Sequence, residues 1–216
     1  MTSETTTQRL RLTFSKDEAV KYISHLDLAR TLERAFRRAG LPLVYSQGFS
    51  PRPKFALGAA LPVGITGRAE VMEIWLSPPL PPLVVAQRLA VQMPPDMAIQ
   101  AIRSVALGAP ALQAAMRWAE YRVTFDVIPQ DLDERVRGFL AAEHLPRVRL
   151  YKGRERAYDL RPLVDELRVV ADDGPALFMR LANSSAATGR VDEVLAELGL
   201  SDMTWQAERT KLVWET

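Results

Sequence analysis

The chain has 216 residues, 48% of them hydrophobic and 25% charged, with a formal net charge of +2, which is globular composition and excludes a wholly disordered, collagenous or coiled-coil protein. It contains no cysteine and only two histidines, His25 and His144, which excludes disulfide scaffolds, Cys-ligated zinc, iron–sulfur clusters, cysteine nucleophiles and the usual multi-histidine metal sites. No metal or cofactor is expected, and the lack of a long apolar run or an apolar leader in MTSETTTQRL predicts a soluble, cytoplasmic protein with no membrane contact.

The small net charge hides a division along the chain. Residues 9–68 carry eleven basic and four acidic side chains, whereas residues 69–216 carry 17 and 21. Of the 28 basic residues, 23 are arginine, a bias that suits bidentate phosphate contacts and that a GC-rich genome also produces. Genome composition accounts for the choice of arginine but not for its clustering.

QRLRLTF (8–14) alternates polar and apolar residues, which predicts a first strand with Leu10, Leu12 and Phe14 on one face. Two capping boxes compete for the start of the next helix, Ser15 with Glu18 and Ser24 with Asp27; Ser24 is preferred. From there Leu28, Leu32, Ala35, Phe36 and Ala39 recur at helical spacing, and Gly40 supplies the stop. The hairpin KFALGAAL (54–61) and EVMEIWLS (70–77) turns at PVGITG, a second helix runs from Leu83 to Gln92, and MAIQAIRSVAL (97–107) closes the unit as a strand. The order strand, helix, strand, strand, helix, strand is the split βαβ plan of a ferredoxin-like sandwich.

GAPALQAA (108–115) has the composition of a linker, and the plan then repeats. A strand at 118–127 precedes a helix opened by Pro129, RVRLY (147–151) turns at Lys152-Gly153, and strands 165–171 and 176–182 meet across Asp172-Asp173-Gly174. A helix at 190–198 and a strand at 202–215 end the chain. The expected architecture is α+β: two tandem ferredoxin-like (βαββαβ) sandwiches with antiparallel sheets, spanning 1–107 and 116–216 around the linker.

The face of the first helix opposite its apolar stripe carries Arg30, Arg34, Arg37 and Arg38. Taken alone, such a stripe is explained by solvation and local pairs such as Glu33 with Arg37. The following loop, YSQGFSPRPKFALG (45–58), adds Tyr45, Phe49, Arg52 and Lys54 around two prolines. A proline-stiffened loop with cations and an aromatic can hold phosphates and stack a base at little ordering cost; the alternative is a rigid turn with its phenylalanines buried.

The stretch 22–76, with YISHLD, RAGLP, YSQGFSPRPK and the LPVG turn, closely resembles the radical SAM-linked protein family, a bacterial domain of unknown function fused to or encoded beside B12-binding radical SAM proteins. The resemblance implies an accessory role beside a radical enzyme acting on RNA or a translation-related substrate. The chain lacks the CxxxCxxC motif and any cysteine, so the radical SAM enzyme is a partner on another chain. A more distant similarity is to the paired ferredoxin-like RNA-binding proteins that process CRISPR repeats, some of which are metal-independent ribonucleases using a histidine.

His25 is the one candidate for proton transfer in the basic region, with Tyr22, Ser24 or Asp27 near in sequence to orient it. His144 precedes Pro146 at a helix end, where a dipole contact explains it. A second basic cluster comprises Arg147, Arg149, Lys152, Arg154, Arg156 and Arg161, and reads either as more RNA-binding surface or as a charged protective edge. Trp75, Trp118, Trp205 and Trp214 fall on strands and are assigned to core packing. Three readings follow: an RNA-binding accessory protein using Arg30, Arg34, Arg37, Arg38, Tyr45, Phe49, Arg52 and Lys54; a metal-independent endoribonuclease using His25; and a protein adaptor without RNA contact.

Overall fold

The computed structural model describes residues 6–151, 153–171, 174–184 and 186–214, and the chain divides into two compact units between Ala115 and Met116. In the first, the alternation expected at the start produces β1 (Gln8–Lys16), with Leu10, Leu12 and Phe14 fully buried. A single 3-10 turn at Glu18–Val20 leads to α1 (His25–Arg38). Of the two competing caps, Ser24 starts the helix: its hydroxyl accepts from the Asp27 N–H at 3.1 Å and lies 2.8 Å from Asp27 Oδ2. The Ser15 hydroxyl is engaged instead with Asp17 and the Ala98 N–H.

Removing the cap leaves an amide of the first turn without its acceptor, so Ser24→Ala is expected to cost about 1 kcal/mol. The check is the urea midpoint of the variant; an unshifted midpoint would mean that water caps the helix equally well. At the other end Gly40 takes φ +60°, and the Leu41 N–H reaches back to the Phe36 carbonyl at 3.3 Å. This is the left-handed stop that glycine makes without a Cβ penalty, and it turns Leu41 into the core.

Strands β2 (Phe55–Leu57) and β3 (Thr66–Leu76) form the expected hairpin, and α2 (Pro82–Ala90) and β4 (Ile99–Val105) follow. The sheet order is β4-β1-β3-β2 with every pair antiparallel. Both helices close one core on this sheet: Leu28, Leu32 and Phe36 from α1 and Val85 and Leu89 from α2 meet Leu10, Leu12, Phe14, Met72, Ile74 and Leu76. Burying side chains of this size stabilises by about 1.5–3 kcal/mol each.

The other face of β1 carries a buried ionic cluster. Arg9 donates from Nε and Nη2 to Glu73 Oε2 at 3.0 and 2.6 Å, and Arg11 donates from Nε and Nη2 to Oε1 at 2.9 and 2.8 Å. Glu73 is fully buried and Arg9 nearly so. Arg9 also donates to the carbonyls of Ala109 and Pro110 at 2.6 and 2.7 Å. Residues 108–115, expected to be a linker, are thus fastened to β1 within the first unit and end in a short helix, α3 (Leu112–Ala115). Composition does not reveal this, because the carbonyls that Arg9 holds are backbone atoms.

The second unit contains β5 (Met116–Phe125), α4 (Leu132–Ala141), β6 (Pro146–Tyr151), β7 (Arg154–Asp159), β8 (Val164–Val170), β9 (Ala176–Ala182), α5 (Val191–Glu197) and β10 (Trp205–Trp214). Its main sheet runs β10-β5-β9-β8, again antiparallel, while β6 and β7 pair only with each other. Leaving that hairpin aside, the strand order repeats that of the first unit. Lys152, Asp172, Asp173 and Glu215, named above in turns and the last strand, lie outside the described residues. The class is α+β, and among the described residues no helix is long and apolar enough to cross a membrane.

Candidate nucleic-acid interface

The loop after α1 is a closed structure. Tyr45 pairs with Pro53 across an isolated bridge, the Ser46 N–H donates to the Arg52 carbonyl at 2.9 Å, and the Arg52 N–H donates to Ser46 Oγ at 3.0 Å. Below this closure the chain is laced to β3: the Val44 N–H donates to the Trp75 carbonyl at 2.8 Å, and the Trp75 N–H to the Lys54 carbonyl at 3.2 Å. Residues 47–51 form the tip, with Gly48 at φ +137°.

Phe49 projects from that tip with a relative exposure of 111%. A phenylalanine left in water forgoes about 1.5–3 kcal/mol of burial, so packing does not explain its place. Tyr45, at 45%, is also exposed, and Arg52 and Lys54 share the exposed surface of the loop. Phe55, by contrast, is half-buried with its ring edge-on to Phe36 at 5.5 Å. The alternative of two buried phenylalanines therefore holds for Phe55 and fails for Phe49.

Trp75 differs from its expected core role: it is half-buried, and its ring carries Lys54 Nζ at 4.9 Å and the Arg9 guanidinium at 5.2 Å. Trp118, Trp205 and Trp214 are likewise on strands and half-buried. Indole is too large to vanish into cores of this size, and at Trp75 its face holds Lys54 at the foot of the loop.

All four arginines of the α1 stripe are exposed, but local partners engage three of them. Arg30 pairs with Asp27 at 3.2 Å, Arg37 with Glu33 at 3.0 Å, and Arg38 donates to the Gln92 carbonyl at 2.8 Å, bridging to the turn after α2. Among the described residues Arg34 has no such partner. Exposed pairs at this spacing are worth a few tenths of a kcal/mol, so a phosphate can displace them.

His25 is the first residue of α1 and exposed. None of its proposed orienting neighbours hydrogen-bonds to it among the described residues: Ser24 and Asp27 bond each other, Asp27 also holds Arg30, and the Tyr22 ring lies 5.3 Å from Lys21 Nζ.

The other histidine has the oriented geometry. His144 stands beyond the end of α4, and its Nδ1 lies 2.8 Å from Asp159 Oδ2. Asp159 also accepts from the Leu145 and Arg161 N–H groups at 2.8 and 3.0 Å. The pair spans 15 positions and depends on the β6–β7 register, which spacing in the sequence does not disclose.

The hydrogen bond from His144, then that from the Leu145 amide, holds the Asp159 carboxyl below its usual value. A lowered carboxyl pKa stabilises the fold above about pH 4, and that stability is lost as pH falls through the folded value. Asp159→Asn is accordingly expected to flatten the acid limb of a plot of melting temperature against pH. An unchanged limb would assign acid sensitivity to other carboxylates.

In the second basic cluster, Arg147 pairs with Glu197, Arg161 donates to the Val164 carbonyl at 2.9 Å, and Arg154 and Arg156 are exposed. Lys152 lies outside the described residues. Among the described residues no group of three or more His, Asp or Glu side chains is placed to hold a metal ion.

The model of a bacterial family, described as "Uncharacterized protein conserved in bacteria (DUF2344)", matches residues 9–191. The chain belongs to this family. No curated protein matches it. Solved structures similar to it include a Cbf5-Nop10-Gar1 complex, at 12% identity and a TM-score of 0.47, with 94% of this chain and 48% of that chain covered. An unknown protein from Galdieria sulphuraria matches at 12% identity and a TM-score of 0.29, covering 95% of this chain and 100% of that one. A putative glycine cleavage system transcriptional repressor matches at 12% and 0.25, covering 97% and 99%. The chain spans about half the length of the first of these, and the family match runs through the first unit from residue 9 and into the second as far as residue 191.

Proposed function

We propose that the protein binds single-stranded RNA through the first unit, as an accessory to a radical SAM enzyme carried on a separate chain. The observation that carries this reading is the wholly exposed Phe49 on a loop closed by Ser46 and Arg52, with Arg52 and Lys54 exposed on the same segment. A stiff loop presents an aromatic face and cations without an ordering cost at binding. Arg30, Arg34, Arg37 and Arg38 on α1 extend the positive surface; Tyr45 adds a second ring and His25 a polar contact. The radical SAM association rests on the sequence resemblance alone.

We read each unit as a ferredoxin-like sandwich. The antiparallel orders β4-β1-β3-β2 and β10-β5-β9-β8 support this, with β6–β7 as an insertion between α4 and β8.

Fluorescence anisotropy of a labelled single-stranded RNA, titrated with protein at several salt concentrations, tests the proposal. Binding that weakens steeply with salt, and further on Arg52→Ala with Lys54→Ala, is the expected result. No binding by the wild type, with co-purification of the radical enzyme free of nucleic acid, would transfer the basic surface to protein docking. RNA cleavage in EDTA that disappears in His25→Ala would instead establish the ribonuclease.

A further inference from the structure

The β6–β7 register sets Arg149 directly opposite Arg156. Like charges facing each other across a strand pair destabilise it, so stability does not account for the arrangement. Arg156 is exposed and, among the described residues, has no hydrogen-bond or ion-pair partner. Arg149 is stacked on the Tyr158 ring at 4.3 Å. Its Nη2 lies 3.5 Å from Glu193 Oε2 and 3.4 Å from the Thr188 carbonyl, both at the outer limit of hydrogen bonding. Among the described residues Arg156 is thus unengaged, and Arg149 is held by long contacts to Glu193 and Thr188.

Both arginines line one cleft of about 470 Å3, together with Tyr158, Asp159, Ala187 and Thr188. The volume is in the range of small-ligand sites, roughly 300–1,000 Å3. Asp159 is the acidic wall residue, and His144 and two backbone amides already occupy its oxygens. Glu193, the ion-pair partner of Arg149, also accepts from the Tyr158 hydroxyl, whose pKa is raised by burial first and by this hydrogen bond next. The cleft is thus lined by two donor-rich arginines and a tyrosine, residue types that recognise a phosphate with a ring attached.

We propose that this cleft binds the phosphate of a nucleotide, either free or within a strand. The site uses none of the residues of the first unit and does not depend on the RNA reading given to them.

Thermal shift of the full-length protein decides it, with adenosine monophosphate, adenosine and a 5′-hydroxyl RNA octamer as probes. The monophosphate is expected to raise the melting temperature of the wild type, and adenosine is not. Arg156→Thr, which removes one member of the like-charged pair at an exposed position, is expected to melt higher than the wild type without ligand and to lose at least tenfold in apparent affinity for the monophosphate. A response to the octamer that Arg156→Thr also weakens would identify a strand phosphate as the source; a response to the monophosphate alone would identify the free nucleotide.

The Arg52→Ala, Lys54→Ala double variant separates the two sites. Retention of the monophosphate shift with loss of RNA binding is expected if both proposals hold. Retention of both by the double variant would overturn the first-unit assignment and leave this one standing. No shift with either phosphate probe, an equal shift with adenosine, or an unchanged response in Arg156→Thr would overturn the cleft assignment.

Discussion

Replacing Glu73 with alanine is expected to destabilise the first unit by about 3–5 kcal/mol, the cost of leaving buried charge without its partner. Glu73 is the shared counter-ion of Arg9 and Arg11, and each arginine gives it two hydrogen bonds. Its loss strands two guanidinium groups where water does not reach them well. Set against a total stability of about 5–15 kcal/mol, this brings the unit close to unfolding at ambient temperature. Arg9→Met should cost less, because Glu73 keeps Arg11 and the deserted carbonyls of Ala109 and Pro110 are neutral. Urea unfolding of both variants checks the order; a wild-type midpoint in Glu73→Ala would show that the arginines rehydrate freely.

Phe49→Ala is expected to lower RNA affinity by about 1–3 kcal/mol, roughly 5- to 150-fold, the usual worth of one stacked base. Protein stability should change by no more than about 0.5 kcal/mol, because the ring contributes nothing to the core. The Arg52→Ala, Lys54→Ala variant fails differently. Each cation removed from a single-strand complex should reduce the slope of log affinity against log salt by about 0.7. The loss from Phe49→Ala should therefore be similar at all salt concentrations, and the loss from the double variant should shrink as salt rises. Affinity indifferent to Phe49 would remove stacking from the reading and leave only charge.

Features whose cause is local were legible in the sequence. Ser24 and Gly40 delimit α1 because a cap acts on amides within three residues and a positive φ is a property of one residue. The alternation of Leu10, Leu12 and Phe14 sufficed to place β1. The stripe of arginines was visible, but their partners were only half visible: Glu33 to Arg37 follows from helical spacing, whereas Arg38 to Gln92 spans 54 positions. The ionic cluster, the His144–Asp159 pair and the facing of Arg149 and Arg156 were hidden for another reason, since each needs a strand register before it can be inferred. The exposure of Phe49 was legible only as one of two alternatives, because the loop closure that decides it is made largely by backbone atoms.

The two ends of the β6–β7 hairpin are joined within the second unit, where the Leu160 N–H donates to the Leu145 carbonyl at 2.9 Å between two buried leucines. Its ends are therefore neighbours, and the strand order of the main sheet is complete without it. Such a segment adds no strand to the main sheet and is tied to α5 by side-chain pairs, Arg147 with Glu197 and Arg149 with Glu193, so the strand order of the sheet does not depend on its length. Among relatives of this chain, diversity of ligand should accumulate in this appendage sooner than in either sheet.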